Sequence, residues 1–180
     1  MSGKSNNNSK DFNLESVSVG AIVPIEEERA NPKRFHSLCR KLAELDQAEM
    51  HYSWSEDSWE QLIGKLGEYC LAVARVEEGE ILGVAVFHRV KRDSVVHLLK
   101  IFVRSHYRKL GIGRKIMDWA VKEYSVETEV VGAERIFLEV DCENIQAVNF
   151  YSRYGFKKLV RAKNFYSDGK DAWRMEMAIH

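Results

Sequence analysis

The stretch Val95-Val-His-Leu-Leu-Lys-Ile-Phe-Val103 runs directly into Arg104-Ser-His-Tyr-Arg-Lys-Leu-Gly-Ile-Gly-Arg-Lys115. Its first part is apolar and rich in β-branched residues, which suits a strand; its second part is basic and punctuated by Gly111 and Gly113. An amphipathic segment from Ile112 to Tyr124 follows at once. The spacing predicts strand, turn and helix, with the turn at the helix N-terminus.

That arrangement suits a phosphate. The first turn of a helix leaves backbone N–H groups unpaired, and the macrodipole adds roughly half a positive charge there. Gly111 and Gly113 would let a diphosphate approach the backbone, and Arg108, Lys109, Arg114 and Lys115 add formal charge around it. The pattern is neither the dinucleotide fingerprint nor a Walker loop. On these grounds alone, an anion site and a surface turn of solvated cations both stand.

Before this stretch, 17–25 alternates weakly as a first strand, with Pro24 marking an edge position or strand exit. Asn31-Pro32 opens a helix in which Phe35, Leu38, Cys39, Leu42 and Leu45 recur on one face. Ser53 or Ser55 caps a shorter helix carrying Trp59, Leu62, Ile63 and Leu66. Residues 69–76 and 81–89 form two strands of an antiparallel meander completed by 95–103, and Gly83 hints at a bulge or close packing. A turn is expected at 91–93.

After the stretch, Ile116, Met117, Ala120, Val121 and Tyr124 define the buried helix face, and a loop around Gly132 leads to a strand over 135–140. A helix crossover allows that strand to lie parallel to 95–103. Residues 144–154 form another helix, stopped by Gly155, and 156–160 and 172–179 are the last strands. The predicted order is β-α-α-β-β-β-α-β-α-β-β. Residues 1–14 read as a disordered tail and 15–180 as a single domain.

The 180 residues are 45% hydrophobic and 30% charged, with 27 basic and 27 acidic side chains. Zero net charge argues against a nonspecific nucleic-acid binder, and no apolar run approaches the ~20 residues a membrane span needs. Residues 1–10 lack the apolar core of a signal peptide, and Cys39, Cys70 and Cys142 are an odd set without paired spacing. The expectation is a cytoplasmic protein with no metal site.

Together these features resemble the GNAT superfamily of acetyl-CoA-dependent N-acetyltransferases, over residues 17–179. Arg108-Lys-Leu-Gly-Ile-Gly113 matches the family's Q/R-x-x-G-x-G/A motif between a strand and a helix. Leu138-Glu-Val140, Asn144 and the A-x-x-x-Y-x-x-x-G-F pattern from Ala147 to Phe156 match its second half. Within the superfamily the chain is most similar to the ribosomal-protein-alanine N-acetyltransferase group, through Tyr52-Ser-Trp-Ser-Glu-Asp-Ser-Trp59 and the aromatic segment from Arg161 to Ala172. In that second segment Phe165 stands for a tyrosine and Lys170 for an acid.

The resemblance implies a mixed α/β (α+β) fold, with a mostly antiparallel sheet and one splayed parallel pair. It implies acetyl-CoA as acetyl donor, held by Ile101, Phe102 and Val103 along the pantetheine arm. Arg108, Lys109, Leu110, Gly111, Ile112, Gly113 and Arg114 would lie at the diphosphate, and Asn144 and Tyr151 near the acetyl end. A backbone N–H, that of Val103, would face the oxyanion. The acceptor would be a peptide or protein N-terminus, or a small amine, beside Tyr52, Trp54, Glu139 and Tyr166, with Phe165 nearby. Monomer and homodimer are both open.

Amine attack on a thioester needs a neutral amine, a stabilised oxyanion and a proton for the thiolate. Glu139, among Phe137, Leu138 and Val140, could have a raised pKa and act as base, or could be an ordinary outward-facing strand residue. The family pattern favours the base. Tyr151 takes the acid role by the same pattern, with Tyr154 as its competitor. Freeing a lysine amine at pH 7 costs about 4–5 kcal/mol, against about 1–1.4 for an α-amine. That difference favours N-terminal acceptors. A small-amine or lysine acetyltransferase is the runner-up; an acetyl-CoA-binding regulatory domain would instead lack the acid or base.

Overall fold

The computed structural model describes residues 13–22, 32–64, 69–75, 79–90, 94–125 and 133–179. Expectations for the tail over 1–12, the strand exit at Pro24, the turn at 91–93 and the loop around Gly132 lie outside these residues. The described elements are β1 (Ser18–Ile22), α1 (Pro32–Glu49), α2 (Glu56–Gly64), β2 (Tyr69–Arg75), β3 (Ile81–Val90), β4 (Val95–Val103), α3 (Ile112–Ser125), β5 (Arg135–Asp141), α4 (Ile145–Tyr154), β6 (Lys157–Ala162) and β7 (Ala172–Ala178). Their order is the predicted one. Asn13 and Leu14, placed in the tail from sequence, belong to a 3-10 turn over Leu14–Ser16, whose first N–H groups are capped by the Asn13 side chain.

One seven-stranded sheet runs β1-β2-β3-β4-β5-β7-β6. The β4–β5 pair is parallel and every other pair antiparallel. That single parallel contact requires a crossover, and α3 supplies it.

The sheet is covered on both faces. Against one face lie α3, through Ile112, Ile116, Met117 and Ala120, and α4, through Val148 and Tyr151; they meet Val96, Leu98, Ile136, Leu138 and Met175. Against the other lie α1, through Cys39 and Leu42, and α2, through Trp59 and Leu62, over Leu71, Val73, Val84 and Phe102. Gly83 answers its sequence hint as a close approach: a Cβ there would stand 3.1 Å from both Ile116 Cδ1 and Phe102 O. The α3–sheet distance depends on that missing methyl group.

Two features of β4 prepare the site. Its register with β3 slips between Phe87↔Leu98 and Val86↔Lys100, leaving Leu99 as a bulge. Its pairing with β5 is confined to Val95, Val96 and His97. Beyond that point the two strands part, which is the splay expected from the family resemblance.

Candidate active site

The parting opens a cleft of about 710 Å3 between the second half of β4, the start of α3 and α4. Arg104 N–H donates to Leu82 O across β3, at 2.9 Å. By ladder alternation, the amides of Ile101 and Val103 therefore turn away from β3, toward the parted side. The Val103 carbonyl there accepts a hydrogen bond from Arg108 Nε at 2.9 Å. Residues 101–103 thus present a strand edge to the cleft, the geometry an extended amide-bearing chain can pair with.

At the floor, Lys109 (φ 64°) and Gly111 (φ 88°) adopt left-handed backbone on either side of Leu110. Backbone of this kind gathers N–H groups into an anion-binding nest. Lys115 N–H makes an α3 bond to Gly111 O at 3.0 Å, so the amides of residues 112–114 precede the helical ladder. Of the predicted donor-binding residues, Ile101, Phe102, Val103, Arg108, Lys109, Gly111, Ile112, Gly113, Arg114, Asn144 and Tyr151 all line the cleft. Leu110 is half-buried and does not line it. Acetyl-CoA's diphosphate and pantetheine match this floor and wall in charge and hydrogen-bonding pattern.

Two cations counted toward the phosphate from sequence have other work. Arg108 Nη2 donates to Glu49 Oε2 at 2.7 Å and to Glu49 O at 3.2 Å, tying the end of α1 to the end of β4. Lys115 Nζ donates to Leu14 O at 2.7 Å and Val17 O at 2.5 Å, holding the first 3-10 turn against α3. Lys109 and Arg114 remain exposed at the cleft. The positive potential at the cleft floor therefore comes from backbone N–H groups, Lys109 and Arg114 rather than from Arg108 and Lys115.

Tyr151 lines the cleft from α4, 7% exposed. Burial, reinforced by the nearby Tyr166 phenol, pushes its pKa well above the ordinary tyrosine value. It keeps its proton at neutral pH, as a proton donor must. Its sequence competitor, Tyr154, donates to Asp118 Oδ1 at 2.8 Å. Asn144 caps α4 by accepting from Ala147 N–H at 3.1 Å.

Glu139 stands on the opposite face of β5 from Leu138 and Val140. Its Oε1 accepts from Arg174 Nε and Nη2, both at 2.9 Å, and its Oε2 is 2.7 Å from His97 Nε2. Burial raises the pKa, but His97 and Arg174 outweigh it, and the net direction is down. The sequence expectation of a raised pKa is thereby corrected: Arg174 comes from a strand 35 residues away. The Glu139 contact engages the His97 ring through Nε2, so Nδ1 is the ring nitrogen left for any further partner. The ring is fixed by stacking on Phe137, 4.2 Å between centroids and 13° between planes. A histidine in a strand next to a predicted carboxylate was the missed signal.

The predicted aromatic residues divide. Tyr52, from the α1–α2 connection, stacks on Tyr166, from the β6–β7 connection, at 4.1 Å and 6°. Its hydroxyl donates to Asp168 at 2.9 Å. Burial and the neighbouring Asp141, Tyr52 and Glu139 push the Tyr166 phenol up to about 12. Phe165 meets Tyr166 edge-on and is 46% exposed.

Trp54 lies elsewhere. It packs on Trp59 in the α1–α2 layer and covers Lys100 Nζ, 4.6 Å from its ring centroid. Lys100 and Asp46 form a buried ion pair, 6% and 0% exposed, with both carboxylate oxygens at 2.8 Å from Nζ. Burial pulls the lysine pKa down against Asp46. Removing one partner of such a pair costs about 3–5 kcal/mol because the other charge is stranded. Lysine inside the apolar run of β4 was its trace in the sequence.

The model of the acetyltransferase (GNAT) family matches residues 39–156. An N-alpha-acetyltransferase of Sulfurisphaera tokodaii is 38% identical over 79 residues, 44% of this chain and 46% of that one. The chain spans about half the length of the curated relatives it matches first. Among solved structures, Ard1 from Thermoplasma volcanium superposes with a TM-score of 0.73 at 19% identity, covering 92% of this chain and 99% of that one. The ribosomal-protein-S18-alanine N-acetyltransferase from Escherichia coli gives 0.69 at 21%, covering 91% and 94%. At these identities the two superpositions show the fold.

Proposed function

The chain belongs to the acetyltransferase (GNAT) family, and from that premise we propose that it moves the acetyl group of acetyl-CoA to the α-amine at the N-terminus of a peptide or protein. The observation that supports this reading is Tyr151 lining the cleft from α4, with the bonded His97–Glu139 pair at the end of the β4–β5 pairing, where the strands begin to part. In this reading Tyr151 holds its proton on the cleft side, and the His97–Glu139 pair offers a lone pair on the other face.

Acetyl-CoA supplies an activated thioester. The strand edge at Ile101 and Val103 and the nest at residues 108–114 hold the donor. The Val103 amide, turned toward the opening, is positioned to donate to developing negative charge. Asn144 borders the cleft beside Tyr151. Tyr151 O–H delivers the proton that the departing thiolate requires, and the second proton of the nitrogen, shed as the amide forms, restores the phenol.

Across the opening, the acceptor ammonium loses a proton toward His97 Nδ1, directly or through one water. Glu139 keeps the imidazole oriented and stabilises its protonated form, and Arg174 keeps Glu139 ionised. A single imidazole matches an α-amine, whose deprotonation at pH 7 costs only about 1–1.4 kcal/mol. Tyr52 and Tyr166 flank the approach, where flat aromatic faces suit an extended backbone. The relatives named N-alpha-acetyltransferase support this acceptor class.

The test is acetyl-CoA turnover, read as free thiol, on short peptides with free N-termini beside lysine, spermidine and an aminoglycoside. Turnover confined to peptides is expected. Activity only on the small amines would replace the acceptor, and tight acetyl-CoA binding without turnover would favour a regulatory binder.

A further inference from the structure

Resting on the reading above, we propose that the buried Lys100–Asp46 pair is a positioning device for the acceptor: it fixes the α1–α2 connection from which Tyr52 reaches the opening. Lys100 spends its three N–H donors on Asp46 Oδ1 and Oδ2, each at 2.8 Å, and on the Tyr52 carbonyl at 2.9 Å. Asp46 Oδ2 also accepts from Trp54 N–H at 2.9 Å. One ion pair therefore grips the connection at two backbone points, residues 52 and 54, and the Trp54 ring closes over it.

From that anchored backbone the Tyr52 ring lies flat on Tyr166, and its hydroxyl holds Asp168. An unbroken series of contacts thus runs from the bulged part of β4, beside donor-binding residues 101–103, to the aromatic pair on the acceptor side. Apolar side chains of similar volume could fill this part of the core. What an ammonium adds is a directed bond to a carbonyl, and the carbonyl it selects belongs to Tyr52.

The test is the double variant Lys100→Met with Asp46→Leu, which removes both charges and strands neither. Amide hydrogen exchange at Trp54, whose N–H donates to Asp46, should accelerate by about tenfold or more, while the sheet amides stay protected. The KM for a peptide acceptor should rise about tenfold, with the KM for acetyl-CoA and kcat at saturating peptide within about twofold, the pattern of lost binding that ground state and transition state share. Should the double variant not fold, Lys100→Gln with Asp46→Asn, which also removes both charges and keeps polar groups in their place, should show the same split at smaller amplitude.

Unchanged peptide KM in a folded variant, or parallel rises in both KM values, would overturn the proposal. So would exchange at the Trp54 amide that matches wild type. If wild type turned over no peptide, the acceptor assignment would fall instead, and the exchange comparison would still decide whether the pair anchors the connection.

Discussion

Arg174 faces Glu139 across the β5–β7 ladder, and two of its nitrogens share the carboxylate's Oε1 at 2.9 Å. This fork, with His97 on the other oxygen, holds the Glu139 pKa below the ordinary carboxylate value despite burial. Arg174→Met should therefore raise the Glu139 pKa, measurable by NMR titration of its carboxyl carbon. The sign carries into stability. A depressed carboxylate stabilises the fold above its unfolded value of about 4.3, and that stabilisation fades as pH falls through the folded value. Wild type should exceed the variant in stability at neutral pH, with the gap closing in acid.

His97→Gln removes the lone pair assigned to accept the amine proton. The value of kcat/KM should fall by about 10²–10⁴-fold and its rise with pH should flatten, while acetyl-CoA binding persists. Steady-state rates across pH check this; an unaltered profile would return the base role to Glu139 alone or to a water chain.

Tyr151→Phe and Tyr154→Phe separate two tyrosines on the same helix. The first should lower kcat by about 10²-fold or more with little change in acetyl-CoA affinity, since it removes a proton donor. The second loses only a bond to the exposed Asp118 and should stay near wild-type turnover. Equal effects would remove the assignment of Tyr151 as acid.

Gly111→Ala tests the nest. Its φ of 88° is strained for any L side chain, and the added Cβ would stand 2.8 Å from Leu14 Cδ2. Acetyl-CoA affinity should drop at least tenfold, with a stability loss of about 1–2 kcal/mol from the left-handed backbone. Calorimetric titration and thermal melting read the two effects; unaltered affinity would move the diphosphate elsewhere.

The order of elements and the residues that line the cleft after β4 were legible because both depend on local signals. Helical spacing over 112–124, the Arg108–Gly113 motif and Gly155 each act within a few residues of themselves. The acceptor half depends on pairings between distant strands. Nothing near Glu139 in sequence announces Arg174, so its pKa direction came out reversed. Trp54 looked like a groove wall because its neighbours are aromatic, yet Lys100, 46 positions on in the chain numbering, draws it into the core. Arg108 and Lys115 carry the charge the motif suggested but direct it to Glu49 and the first 3-10 turn.

The most direct measurement uses one peptide bearing a free N-terminal α-amine and an internal lysine, incubated with the protein and acetyl-CoA and read by tandem mass spectrometry. The account predicts a single acetyl group on the N-terminal residue, absent in the His97→Gln variant. Acetylation on the lysine side chain, with the α-amine untouched, would contradict it.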